Sequence, residues 1–490
     1  MLRFVLIASL FAVIVFQMVG EKVPVNDGTM GDGLFYRSIA EDFLGKIEDE
    51  SYNVFQLQRV MPFAVLNVTF SLFEWVKSHE GLLRGIVILN FLMAALGVYW
   101  YFALARKLRL RDNLTVLGFL LLFVNFAVLK DMWYHPFHPG FSAMMLGIGQ
   151  VNYFVRVERQ RLFLLSLVAG FVWPSMFLTG LFLMLMPSEK LLVHESDRPK
   201  SFYPIIVCCI VLVVLIITGI WTGRFGNGGG ELALHILSIA ALLIYFLAFL
   251  IKNPIQWKLS FDLFRSKLKA GKLQVFWLSL TAFFLIIFLL SGSNGNIFFL
   301  EVAENYFTEI LRFPLDFLVG HTLYFGFLVP LAMVFFPRMM KEMANLGMGF
   351  AMACTFMFVF ILHPEPQFLL PFYPFLVLLI LKSVKRYRLL KKDILVIGGF
   401  NLLLSAAWLP LNVSGMEEAL GGENLSLLSQ FPAQRYWMHF GHMMSWEVYI
   451  GAAVVFTLLV WLAWNGKIRY KREAKLGEDV EASRTETGHV

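Results

Sequence analysis

Long apolar runs alternate with short, mostly basic polar segments along nearly the whole chain. The first run spans Val5 to Met18, directly after Arg3. Others fall at about 84–105, 114–130, 139–155, 162–186, 203–221, 233–251, 274–291, 321–337, 345–362, 367–381, 394–410 and 448–464. Most approach the roughly 20 residues a helix needs to cross a hydrocarbon core. The pattern predicts an all-α polytopic membrane protein with about 12 to 14 transmembrane helices. No small-residue cleavage site follows the first run, so its helix is expected to stay.

The basic clusters fix an expected orientation, because short loops rich in Lys and Arg stay on the cytoplasmic side. All of them face inward only if each pair is separated by an even number of crossings. The run 162–186 decides the matter. As one span it would expose the basic segment 252–272 outside; as two short helices broken near Trp173-Pro174 it restores the pattern, and proline breaks helices. With about 14 crossings, some short or re-entrant, the inside segments hold 31 of 41 basic and 13 of 34 acidic residues. Both termini are then cytoplasmic.

Composition narrows the class further. Of 490 residues, 58% are apolar and 15% charged, with a mean hydropathy of +0.70, which excludes a water-soluble globule. The net charge of +7 follows from topology and gives no reason to expect a nucleic-acid partner. Three cysteines, Cys208, Cys209 and Cys354, lie inside apolar runs, so no disulfide framework is expected. Residues 1–472 read as a single transmembrane unit and 473–490 as a polar, disordered cytoplasmic tail. Three outer loops are long, 20–83, 292–320 and 411–447. The first carries Phe35, Tyr36, Ile39 and Phe43 at helical spacing and a second apolar stretch over 60–76, predicting interfacial amphipathic helices. Asn67, Asn412 and Asn424 begin outward glycosylation sequons, triplets common by chance.

Spans such as 203–221, 274–291 and 448–464 contain no Asp, Glu, Lys or Arg, which weighs against an ion-coupled transporter. Polar residues gather instead at outer helix ends. Asp32, between Gly31 and Gly33, offers an accessible carboxylate that could accept a proton from a hydroxyl. Asp27 and Asp32 read equally well as caps of the helix starting near Leu34. Arg59, before Met61-Pro62, suits a lipid phosphate or headgroup anchorage. His135 and His138, within Trp133 to Pro139, form either part of a metal site or a tight aromatic turn. The segment His363 to Pro374 sets His363, Glu365, Gln367 and Tyr373 among prolines as a rigid polar lip for phosphate or sugar hydroxyls. No nucleotide-binding glycine loop is evident.

These residues resemble a family. Gly31-Asp32-Gly33-Leu34-Phe35-Tyr36, followed by Arg59 and Pro62, is similar to the first loop of the C-type glycosyltransferase superfamily, in the form its bacterial members carry. His363-Pro-Glu365-Pro-Gln367-Phe368-Leu-Leu-Pro371-Phe-Tyr-Pro374 resembles the HKExRFxxPxxP element of its dolichol-phosphate-mannose-using mannosyltransferases. Pro364 stands where that element has lysine, and Gln367 where it has arginine. The resemblance implies a membrane enzyme that moves a sugar, with inversion, from a polyprenyl-phosphate carrier to a lipid or glycan acceptor outside the cytoplasm. It implies Asp32 as catalytic base and His363 and Glu365 at the donor, with Gln367 in the same element. Arg59 and Arg435 are added here as phosphate partners, and Asp27, Tyr36, His135, His138 and Tyr373 as acceptor or lip positions. No cofactor is firmly implied; a divalent metal on Asp27 and Asp32 is the minor alternative. A lipid or glycan translocator, or a glycan polymerase or ligase, is the competing reading. The expected location is a bacterial cytoplasmic membrane.

Overall fold

The computed structural model describes residues 2–29, 31–49, 54–193, 203–221, 223, 229–290, 309–387, 389–410, 412–421 and 444–487. Among the described residues the chain is helical without a strand, apart from an isolated antiparallel bridge between Val193 and Ile255. Among the described residues six helices are long and apolar enough to cross a membrane, or eight if two bent pairs each count as one span. The chain is therefore an all-α polytopic membrane protein. Other apolar elements run shorter, such as Met61–Leu72, Pro174–Leu185 and Met348–Phe360.

The first helix, α1 (Leu2–Val19), leads into a chain of short helices: α2 (Gly33–Glu41), α3 (Phe43–Glu48), α4 (Val54–Leu57) and α5 (Met61–Leu72). The long span α6 (His79–Lys107) follows, capped by the Ser78 side chain. Then come α7 (Asp112–Phe123), bent by 54° into α8 (Ala127–Tyr134), and α9 (Gly140–Arg156). α2 buries Tyr36, Ile39 and Ala40, while α5 leaves Val65, Val68 and Leu72 exposed. Asn67 is buried, and its Nδ2 donates to the carbonyls of Ala40 and Glu41, each at 3.0 Å. Its sequon is thereby spent inside the fold, because a glycan on Nδ2 would displace the bonds that close the end of α2.

The Pro174 break separates α10 (Arg159–Gly170) from α11 (Pro174–Leu185). Gly170 faces Phe177 and Gly180 faces Ser166, the pairing of an antiparallel hairpin. Gln150 of α9 donates to Ser166 Oγ at 2.9 Å and to the Met176 carbonyl at 2.8 Å, tying the hairpin to the body.

Tyr373–Val384 is the innermost helix, with almost every residue buried. Before Lys382 and Ser383 in its last turn it is apolar all round, as a helix enclosed by neighbours must be. By contrast, Phe4, Phe16 and Leu278 lie exposed on other long helices, apolar surface that a bilayer accommodates. Two side chains cross the fold to one stretch of backbone. Gln17 Nε2 donates to Ala407 O at 2.8 Å, and Lys130, fully buried, donates to Ala406 O at 2.8 Å and to Leu409 O.

Two expectations are corrected. The run 321–337 is not one straight span: Asp316–Phe325 and Leu328–Asn345 meet at 115°. Gly326 turns the chain at φ +71° and ψ −136°, and Asn401 Oδ1 accepts the Phe327 N–H at 2.8 Å. A Cβ on Gly326 would run into the Asn401 side chain. Gly326→Ala is therefore expected to destabilise the protein by ~1–3 kcal/mol, from backbone strain together with the clash, read as a lowered melting temperature in detergent. An unchanged melting temperature would remove Gly326 as the cause of the bend. The tail is the second correction: the last helix, Trp446–Thr487, continues well past Arg472. Residues 467–487 are rich in Ala, Glu, Lys and Arg, which favour helix over disorder.

Candidate functional site

Five chain segments meet at one end of the bundle: the start of α2, the turn before α5, the loop 135–139, the α10–α11 break and the segment 363–372. Each is held there by identifiable contacts. The Met61 amide donates to Phe171 O at 3.2 Å, fixing the entry of α5 against the break. Asn90 of α6 donates to Pro136 O at 3.0 Å. Tyr36 stacks on Phe63 at 4.6 Å, and Phe63 on Phe137 at 6.1 Å. Gly147 of α9 brings its backbone so near Pro371 that a Cβ would lie 2.6 Å from the Pro371 carbonyl.

Arg59 sits at the centre. It is buried, and its guanidinium lies 3.9 Å over the Trp173 ring. It faces the Tyr36 hydroxyl and lies within electrostatic reach of Asp32 and Glu365. Burial lowers its pKa to about 10 while Tyr36, Asp32 and Glu365 hold it up, so it stays charged at neutral pH. Burial also raises the Tyr36 phenol, opposed by Arg59, which keeps the hydroxyl protonated.

Asp32 occupies the N-cap position of α2, yet its side chain makes no capping bond. It is exposed and accepts a hydrogen bond from Gln56 Nε2 at 3.2 Å. The capping explanation of Asp32 is thus corrected: its carboxylate is directed across the loop to α4. Of Asp27 only the backbone is described, in the turn Val25–Gly28.

Comparison of the whole chain with known proteins finds no matching family model, no matching curated protein and no matching solved structure.

His138, Gln367 and Glu365 form a relay beneath the lip. His138 Nε2 donates to Gln367 Oε1 at 2.8 Å while Nδ1 accepts the Gly140 N–H at 3.2 Å, which defines a neutral ring. Burial lowers the His138 pKa, opposed by Asp131, in keeping with that tautomer. Gln367 Nε2 in turn donates to Glu365 Oε2. His135 lies apart from this relay, its Nδ1 2.8 Å from Asp131 Oδ1, and Tyr324 donates to Asp131 Oδ2 at 2.5 Å. Among the described residues, no group of three or more His, Cys, Asp or Glu side chains is arranged to hold a metal ion.

Asp32, Tyr36, Arg59, His138, Glu365 and Gln367 are therefore neighbours. The other positions are placed elsewhere. His363 Nδ1 accepts the Glu365 N–H at 3.1 Å, and its Nε2 lies 3.4 Å from Glu309. Tyr373 is fully buried, donates to Leu121 O and stacks on Phe325, so it builds the core and not the lip. Arg435 lies outside the described residues. Gln56 and Trp173 are the members that sequence reading missed. Trp173 had a signal, since it marks the proline break; Gln56 had none. The assembled site offers an exposed carboxylate for a proton, a buried guanidinium for an oxyanion, and an aromatic floor that limits water.

Proposed function

We propose that this chain is a glycosyltransferase that moves a sugar from a polyprenyl-phosphate carrier to a lipid-linked or other extracytoplasmic acceptor, with inversion at the anomeric carbon. The observation that carries the reading is Arg59, buried on Trp173 and flanked by Asp32 and Glu365 from loops far apart in sequence. In the reaction the acceptor oxygen bonds to the anomeric carbon and Asp32 takes the acceptor proton. The bond to the carrier phosphate breaks, the phosphate keeps the electron pair, and Arg59 offsets its growing charge. Glu365, steadied by Gln367 and His138, accepts hydrogen bonds from sugar hydroxyls. The reading requires no bound cofactor. It places the site outside a bacterial cytoplasmic membrane with both termini inside, as the basic clusters favour.

The test is consumption of donor. Purified protein is offered polyprenyl-phosphate sugars with membrane-lipid acceptors present, and free carrier phosphate is measured. Release dependent on both substrates is expected. If the folded protein consumes no such donor, a translocator of lipids or glycans becomes the better account.

A further inference from the structure

Away from that site, α10, α11 and the helix Ala270–Leu290 enclose a cavity of about 580 Å³ that the proposed reaction does not use. Its lining is ordered by depth. Arg159 and Gln160 begin α10, Lys272 lies in the first turn of Ala270–Leu290, and Leu185 ends α11, so these four form the rim. At 1.5 Å per residue, Phe163 and Leu164 lie roughly 6–7 Å deeper, and Leu181 and Val275 roughly 5–6 Å. Ser279 lies roughly 10 Å in, seven residues beyond Lys272. The wall is open toward the hydrocarbon, since Phe163, Leu164 and Val275 are all exposed.

The rim is cationic and without a carboxylate. Glu158, the acidic residue beside it, is taken up by Arg156 at 2.6 Å and Arg161 at 2.9 Å. Arg159 and Lys272 have no ion pair among the described residues and both are exposed. Two ammonium or guanidinium groups over an apolar slot match a phosphate attached to acyl chains, and the volume suits the first turns of those chains. The slot opens on the membrane face where the basic clusters gather.

We propose that this groove is a binding site for an anionic phospholipid, with Arg159 and Lys272 on the headgroup phosphate and Phe163, Leu164 and Val275 against the acyl chains. Ser279, deeper than all three, borders the inner end of the slot. This site is independent of the transferase reading and depends only on the chain lying in a bilayer.

The test is native mass spectrometry of the full chain in mild detergent, titrated separately with phosphatidylglycerol, phosphatidylcholine and glycerol phosphate. Phosphatidylglycerol is expected to bind on the order of tenfold more tightly than phosphatidylcholine, as two cations near an anionic headgroup provide. The double variant R159Q/K272Q should bring the two lipids level. Val275→Trp, which fills the slot but keeps both cations, should weaken phosphatidylglycerol binding as well. R265Q/K267Q removes the same charge from the neighbouring helix Trp257–Lys267 and should change nothing. Equal lipid affinities in the wild type would overturn the proposal. So would equal losses in the two double variants, or glycerol phosphate competing as well as the intact lipid. Melting temperatures of all variants identify any that fail to fold.

Discussion

Asp32→Asn is expected to lower carrier-phosphate release by roughly 10²- to 10⁴-fold, the usual contribution of a positioned general base. The substitution keeps the shape of the side chain and removes its ability to hold a proton. Its structural cost is small, because Asp32 is exposed, its side chain makes no helix cap, and its carboxylate accepts from Gln56, a bond the amide oxygen of Asn can also accept. An exposed isosteric change of this kind stays within about 0.5 kcal/mol. The melting temperature in detergent should therefore match the wild type while turnover collapses. Donor affinity should hold, since the carboxylate acts on the acceptor proton and not on the phosphate. Turnover within tenfold of the wild type would remove Asp32 as the base.

Arg59 should show the opposite division between stability and turnover. Arg59→Gln discards a buried charge that faces Asp32 and Glu365 and a stack on Trp173. Losing a buried, stacked side chain and leaving the buried Tyr36 hydroxyl without its partner costs about 1–3 kcal/mol. This variant is expected to melt much earlier or to express poorly, so alone it says little about catalysis. Arg59→Lys is the informative change. It keeps the positive charge but loses the planar fork and the flat stacking surface. Among the residues of the cluster described above Arg59 is the sole cation, so loss of its aligned donors should lower turnover by roughly 10²-fold or more. A lysine variant that folds and turns over within twofold of the wild type would assign Arg59 to anchoring the loop.

Helix positions were legible because apolar runs of spanning length have few alternatives. The break at Pro174 was legible for the same local reason: proline cannot continue a helix. The bend at Gly326 was not, since the runs on either side are equally apolar and the turn depends on Asn401, 74 residues ahead of the Phe327 amide it receives. The site followed the same division. Asp32, Arg59 and Glu365 announced themselves as polar groups at helix ends. Gln56 looked like any surface glutamine, and its role depends on where α4 comes to rest against α2. Tyr373 erred the other way. It sits in the same proline-rich segment as Glu365, but it opens the innermost helix, and its ring turns to the core.

The bond from Gln17 to Ala407 also orders events in time. Its partners are 390 residues apart. At the usual elongation rate of about 5–20 residues per second, α1 waits roughly 20–80 s after its own synthesis for that carbonyl to exist. Throughout that interval the side-chain amide of Gln17 has to find water, headgroups or a passing neighbour. A helix made early is thus locked late. A chain cut short before Ala407 would leave its leading segment without its final anchor, a state that membrane quality control could recognise.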